Sequence, residues 1–202
     1  MVRIFSLFIV IFMSAALSGC AKPPETITFA EQTLIENPGP KILNEVDSIL
    51  PARLQKQREL EAYILENGRS LTETEITLAR AVGVKNANRI RILEAPHIPR
   101  RNTAQRLMKG ETIRRPTFRI SVIGGLEAGY GLVIDEAYLD EEWLLAHELA
   151  HVHQFEKLGQ EAMPRQVLIE HAVLAGKLIP IESEAIALSE AATGVKPPNY
   201  YH

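Results

Sequence analysis

From Trp143 to Gln154 the chain reads Trp-Leu-Leu-Ala-His-Glu-Leu-Ala-His-Val-His-Gln. His147 and His151 stand four positions apart, which on a helix places them one turn apart on one face, so both imidazoles can reach a single metal ion. Glu148 follows the first histidine and can poise a metal-activated water and accept its proton. Zinc is the metal that suits this donor set, and it brings the pKa of a bound water down toward neutrality. Trp143, Leu144, Leu145, Ala146, Leu149, Ala150, Val152 and Phe155 surround the polar trio on nearly all sides. A helix apolar all round is a buried helix. Two histidines and a glutamate in such a place need partners, because unpaired buried charge is expensive, and a metal answers that need.

A zinc held this way takes a third protein ligand. No aspartate follows Asp140, and the only cysteine in the chain is Cys20. The metzincin continuation would place Gly at 154 and His at 157, where Gln154 and Lys157 stand. The remaining candidates are Glu156, Glu161, Glu170, His171, Glu182, Glu184, Glu190 and His202. His153 points away from the face shared by His147 and His151.

The stretch 143–154 resembles gluzincin-type metallopeptidases, and is most similar to a bacterial family with an LLAHELxHVxQ core. The resemblance covers about residues 116–193 and is weaker back to about 70. It implies a zincin-like α+β fold and a Zn2+ cofactor. In such proteins a glycine-rich strand precedes the active-site helix, as Gly129-Tyr130-Gly131-Leu132-Val133-Ile134 does here. A later helix beginning Glu-x-Glu-Ala supplies a glutamate ligand, and this chain has Ile181-Glu182-Ser183-Glu184-Ala185. Aligning on Ala185 puts the ligand at Glu182, with Glu184 and His171 as alternates. Helical angles alone do not separate Glu182 from Glu184. The chain departs from the family at Ile186, where gluzincins often carry an aspartate that orients a metal-bound histidine. The resemblance also implies a substrate peptide pairing along an edge strand, for which Tyr130–Asp135 is the candidate. Tyr138, Tyr200, Tyr201, His171 and His153 are available to stabilise an oxyanion, though no motif singles one out.

These residues need a scaffold and an address. The 202 residues, with a net charge of −3 and no basic stripe, exclude nucleic acid as the main partner. One cysteine excludes an intramolecular disulfide. Met1-Val2-Arg3 opens an apolar run from Ile4 to Leu17, about 14 residues, too short for a permanent span of about 20. It ends in Leu17-Ser18-Gly19-Cys20, which resembles a bacterial lipobox. The resemblance implies removal of residues 1–19 and acylation of Cys20. The chain would then be anchored to the membrane by its lipid, and Ala21 favours the outer membrane, facing the periplasm, in a Gram-negative host.

Residues 20–40 carry Pro23, Pro24, Pro38, Gly39 and Pro40 and predict an extended tether. Residues 41–115 predict a mainly helical region. Ile42, Val46, Ile49, Leu50, Leu54, Leu60 and Ile64 recur at helical steps to Asn67-Gly68, with Pro51 a break or a start. A second helix follows, with Thr72 as N-cap and Glu75 at the capping-box position, then a strand over Arg89–Leu93 and a basic loop over 96–116. Residues 116–202 predict the zincin-like domain: strands at Phe118–Ile123, ended by Gly124-Gly125, and at Tyr130–Asp135, then helices over about 140–158, 161–176 and 182–192. The expected function is a membrane-anchored zinc metallopeptidase acting on protein or peptide. The alternatives are a non-catalytic zincin-fold lipoprotein serving binding or envelope assembly, and a zinc amidase acting on cell-wall material. The sequence assigns no oligomeric state.

Overall fold

The computed structural model describes residues 26–95, 125–174 and 177–196. The N-terminal apolar run and Cys20, the basic stretch 96–116, the strand expected at 118–123, and Tyr200, Tyr201 and His202 lie outside these residues.

Six α-helices and four strands are described: α1 Phe29–Glu36, α2 Pro40–Asn67, β1 Arg69–Ser70, α3 Glu73–Ala81, β2 Arg91–Ala95, β3 Gly125–Ala128, β4 Gly131–Asp135, α4 Glu142–Leu158, α5 Ala162–Val173 and α6 Pro180–Thr193. Helices around one small sheet make this an α+β structure. The sheet order is β1-β2-β4-β3. β2 runs parallel to β4, with Arg91 opposite Gly131, and β3 pairs antiparallel with β4 across the turn at Gly129-Tyr130. Strands from both sides of residue 116 thus share one sheet.

Two helical layers cover it. On one face Leu60 and Ile64 of α2 pack with Ala95, Ala128 and Val133. On the other, Ile92, Leu132 and Ile134 meet α3 through Leu78 and Val82 and α4 through Leu144, Leu149 and Val152. The second face is therefore the floor on which the His147–His151 helix rests.

Three expectations are corrected. The supposed tether contains α1, started by a full capping box in which Thr28 Oγ1 accepts from the Glu31 amide at 3.2 Å and Glu31 Oε2 accepts from the Thr28 amide at 2.8 Å. Ile35 then buries against Met163, Leu174, Ile179 and Ile181, and Lys177 Nζ binds Glu31 at 2.7 Å. Pro51 neither breaks nor starts a helix but lies inside α2. The missing hydrogen bond of a mid-helix proline is offset by the buried stripe Val46, Leu50 and Leu54 on either side of it. Finally, β4 is an inner strand, not an edge; β3 is the outer strand on that side among the described residues, and it begins at Gly125, expected to terminate a strand.

The hairpin sits close against α2. Glu61 Oε1 accepts from the Tyr130 amide at 2.9 Å, and a Cβ at Gly131 would stand 2.9 Å from Cβ and Cδ1 of Ile64. Gly131→Ala is expected to destabilise the chain by about 1–3 kcal/mol through overpacking, read as a lower denaturant midpoint at unchanged m.

The α3 start behaves as expected, with Thr72 Oγ1 and Glu75 in a reciprocal box. Arg69 adds a bidentate ion pair, its two terminal nitrogens each 2.8 Å from a Glu75 oxygen, and its Nε reaches Glu94 at 2.7 Å. Burial pushes the Glu75 carboxyl up, but Arg69 and the Thr72 amide outweigh it and hold the group below its ordinary 4.5. A carboxyl lowered on folding stabilises the fold above its unfolded pKa and loses that contribution as pH falls through the folded value. Acid titration should therefore show stability falling below pH 4.5, less steeply in Glu75→Gln.

Candidate metal centre

The helix that carries the motif is fixed at both ends. Trp143 Nε1 donates to Glu141 Oε2 at 2.9 Å at its start, and Gly159, with φ 95°, ends it. Glu142 in the first turn and Lys157 in the last complement the helix dipole. Most of its middle is buried, His147 and Glu148 included. α6 packs along α4. It starts at Pro180, a residue preset for the first helical position, and stops at Gly194 in the left-handed conformation. Ile179 offers no side chain to cap it. The buried Glu170 of α5 does so instead, its Oε2 accepting from the Ile181 amide at 3.1 Å.

This packing brings Glu182, in the first turn of α6, against the two histidines. His147 Nε2 and His151 Nε2 are 3.1 Å apart, and Glu182 Oε2 lies 3.3 Å from the former and 3.5 Å from the latter. The rings meet edge to face at 86°. Ligands about 2.0–2.1 Å from a tetrahedral zinc are separated by about 3.3–3.4 Å, so the three atoms have the spacing of such a cage. These residues form a group that could hold a metal ion. His147 is nearly sealed at 3 % side-chain exposure, while Glu182 keeps 28 %, so the site opens to solvent on the α6 side.

The charges of the group are strongly coupled. Burial pushes His151 down, but the Glu182 carboxylate, with Glu148 and Gln154, overcomes this and raises it to about 9. Burial pushes Glu182 up, and its hydrogen bonds to His147 and His151 hold it well below the usual carboxylate range. Glu148 is raised by burial against the pull of the two histidines. It is 3 % exposed and has no hydrogen-bond partner among the described residues.

The other candidates lie elsewhere. Glu184 is exposed and binds Gln154 Nε2 at 2.9 Å and Lys157 Nζ at 3.2 Å. His171 is exposed near the end of α5. Glu156 accepts from the amides of Lys85 and Asn86 and from the Tyr130 hydroxyl, a structural tie between α4 and the sheet. Glu161 and Glu190 are exposed, and neither joins the group. His153 turns away as expected, its Nδ1 2.9 Å from the Gly83 carbonyl. Tyr138 packs on the core, and His153 and His171 are likewise outside the cluster.

Glu170, a candidate ligand from the sequence, lies outside the group and holds the start of α6 instead, and Gln154 is a residue of the surround that the sequence did not single out. Gln154 is fully buried, with Oε1 2.8 Å from His151 Nδ1. It supplies the histidine contact for which the aspartate replaced by Ile186 was sought. Its position at the end of the quoted core is the available signal. Comparison with protein families, curated proteins and solved structures finds no match to this chain. The reading of the site therefore stands on its residues and their geometry.

Proposed function

We propose that the chain is a zinc-dependent hydrolase of peptide bonds with a zincin-like fold, held at a bacterial envelope membrane by a lipid on Cys20. The observation that carries it is the convergence of His147 Nε2, His151 Nε2 and Glu182 Oε2 beside the buried carboxyl of Glu148, which makes no hydrogen bond among the described residues. His147, His151 and Glu182 would hold the ion. When bound, zinc supplies a Lewis acid for the scissile carbonyl and a water of lowered pKa. Glu148 takes the proton of the attacking water on a carboxylate oxygen and returns it to the leaving amine. Glu148 is itself only 3 % exposed, which limits the access of bulk water to that proton. The anchor rests on the sequence alone; among the described residues no helix is long and apolar enough to cross a membrane.

The test uses the full chain, extracted in detergent at neutral pH. Zinc should be found by elemental analysis, and an unfolded protein substrate should be cut in a chelator-sensitive way. A chain that binds no zinc overturns the proposal. A chain that binds zinc and cleaves only peptidoglycan keeps the metal chemistry and replaces the substrate class with the cell-wall amide.

A further inference from the structure

We infer that Gln154 is a positioning residue, which decides which nitrogen of His151 carries the proton and, through the same amide, where Glu182 stands. The inference rests on the metal-centre reading above and extends it to a residue that touches no metal.

The argument begins with hydrogen-bond polarity. Gln154 Nε2 lies 2.8 Å from the Ile181 carbonyl oxygen and 2.9 Å from Glu184 Oε2. A backbone carbonyl and a carboxylate only accept, so the amide nitrogen must face both. The reversed amide would set an oxygen against two oxygens inside hydrogen-bond range. Lys157 Nζ, 3.2 Å from the other Glu184 oxygen, favours the ionised carboxylate there. With Nε2 so committed, Oε1 faces His151 Nδ1 at 2.8 Å, and an amide oxygen only accepts. The proton therefore sits on Nδ1. Nε2 of His151, which faces His147 and Glu182, is the nitrogen left to offer a lone pair to a cation.

The same amide acts on the third donor. Ile181 directly precedes Glu182 and is gripped at both polar atoms, its carbonyl by Gln154 and its amide by Glu170. Glu170 is itself steadied by Gln166 Nε2 at 2.9 Å. Both gripping side chains are essentially inaccessible to water. One residue of α4 thus aligns a histidine on its own helix and a glutamate on α6.

The test compares the full chain with Gln154→Leu and with the paired exchange Gln154→Glu plus Glu184→Gln. The exchange returns an acceptor to His151 Nδ1 and a donor from position 184, but it gives up the donor to the Ile181 carbonyl. Zinc is titrated against a chromophoric chelator, and circular dichroism confirms that each chain is folded. Gln154→Leu is expected to bind zinc about 10–100-fold more weakly, and the exchange to restore the Nδ1–H form of His151 while recovering only part of that loss. Nitrogen-15 NMR of the metal-free chains, at a pH where His151 is neutral, should show the Nδ1–H form in the parent and the Nε2–H form in Gln154→Leu. Equal zinc affinity and the same tautomer in Gln154→Leu would overturn the inference. So would a folded exchange variant with His151 in the Nε2–H form, which would reduce Gln154 to packing. A parent that binds no zinc while showing the Nδ1–H form would overturn the metal-centre reading and leave the tautomer assignment standing.

Discussion

Glu148→Gln is expected to retain its metal and to lose hydrolysis, with kcat reduced by about 10²–10⁴-fold, the usual contribution of a positioned general base. Gln fills the same volume and accepts no proton at neutral pH. Glu148 lies outside the three-donor cage, so its exchange removes no metal contact. It also makes no hydrogen bond to the described residues, so no structural partner is orphaned. Replacing a buried, partnerless carboxyl by a neutral amide removes a desolvation cost, and thermal stability should hold or rise. Zinc content by mass spectrometry, single-turnover cleavage and a melting curve give the three readouts. Retained cleavage in the variant would remove Glu148 from the chemistry.

The second large effect is on stability. The candidate metal donors lie on α4 and α6, and an ion between them would add a tie between two helices otherwise joined by Gln154 and Lys157 of one to Ile181 and Glu184 of the other. A ligand that binds only the folded state, at about 1,000 times its Kd, adds about 4 kcal/mol. For a chain of this size that is about 8–16 °C in Tm. Chelator should reverse the shift. His147→Ala and Glu182→Ala should melt at the same temperature with and without zinc, because each deletes a donor. Glu184→Ala should keep most of the shift, because Glu184 acts only on Gln154 and Lys157. A zinc-dependent shift that survives in Glu182→Ala would move the third donor elsewhere.

The core of the site is legible in the sequence because its geometry is local. Four-residue spacing on one helix dictates that His147 and His151 share a face, and the structure adds only that the face is turned toward α6. The Thr72–Glu75 box, Gly159 and Gly194 are equally local signals, and they mark helix ends where expected. Glu182 is different. Nothing in its spacing separates it from Glu184; resemblance favoured it, and in the structure the grip on Ile181 points it at the histidines.

The misses have physical causes. Proline and glycine around residues 23–40 outweighed a capping box at Thr28 and Glu31 that was visible all along. Pro51 shows that a buried stripe can carry a helix through a residue that breaks isolated ones. The resemblance places β4 at an edge, yet Leu132-Val133-Ile134 is an unbroken apolar run, the pattern of a strand covered on both faces. Gln154 and Glu170 depend on partners 27 and 11 residues away, which periodicity cannot reveal.

The parallel pairing of β2 with β4 also sets an order of events. Glu61 and the Tyr130 amide it holds are 69 residues apart, and the apolar stripe of α2 has no sheet to cover until β4 has been made. Closing so long a loop costs entropy before any contact repays it, which makes non-local strand pairing a slow event. The helix bearing His147 and His151 rests on the sheet that this event creates. Its donors can come into register with Glu182 only afterwards. The three donors thus come together only once the sheet beneath them has formed, so the candidate centre depends on the most non-local step in the fold.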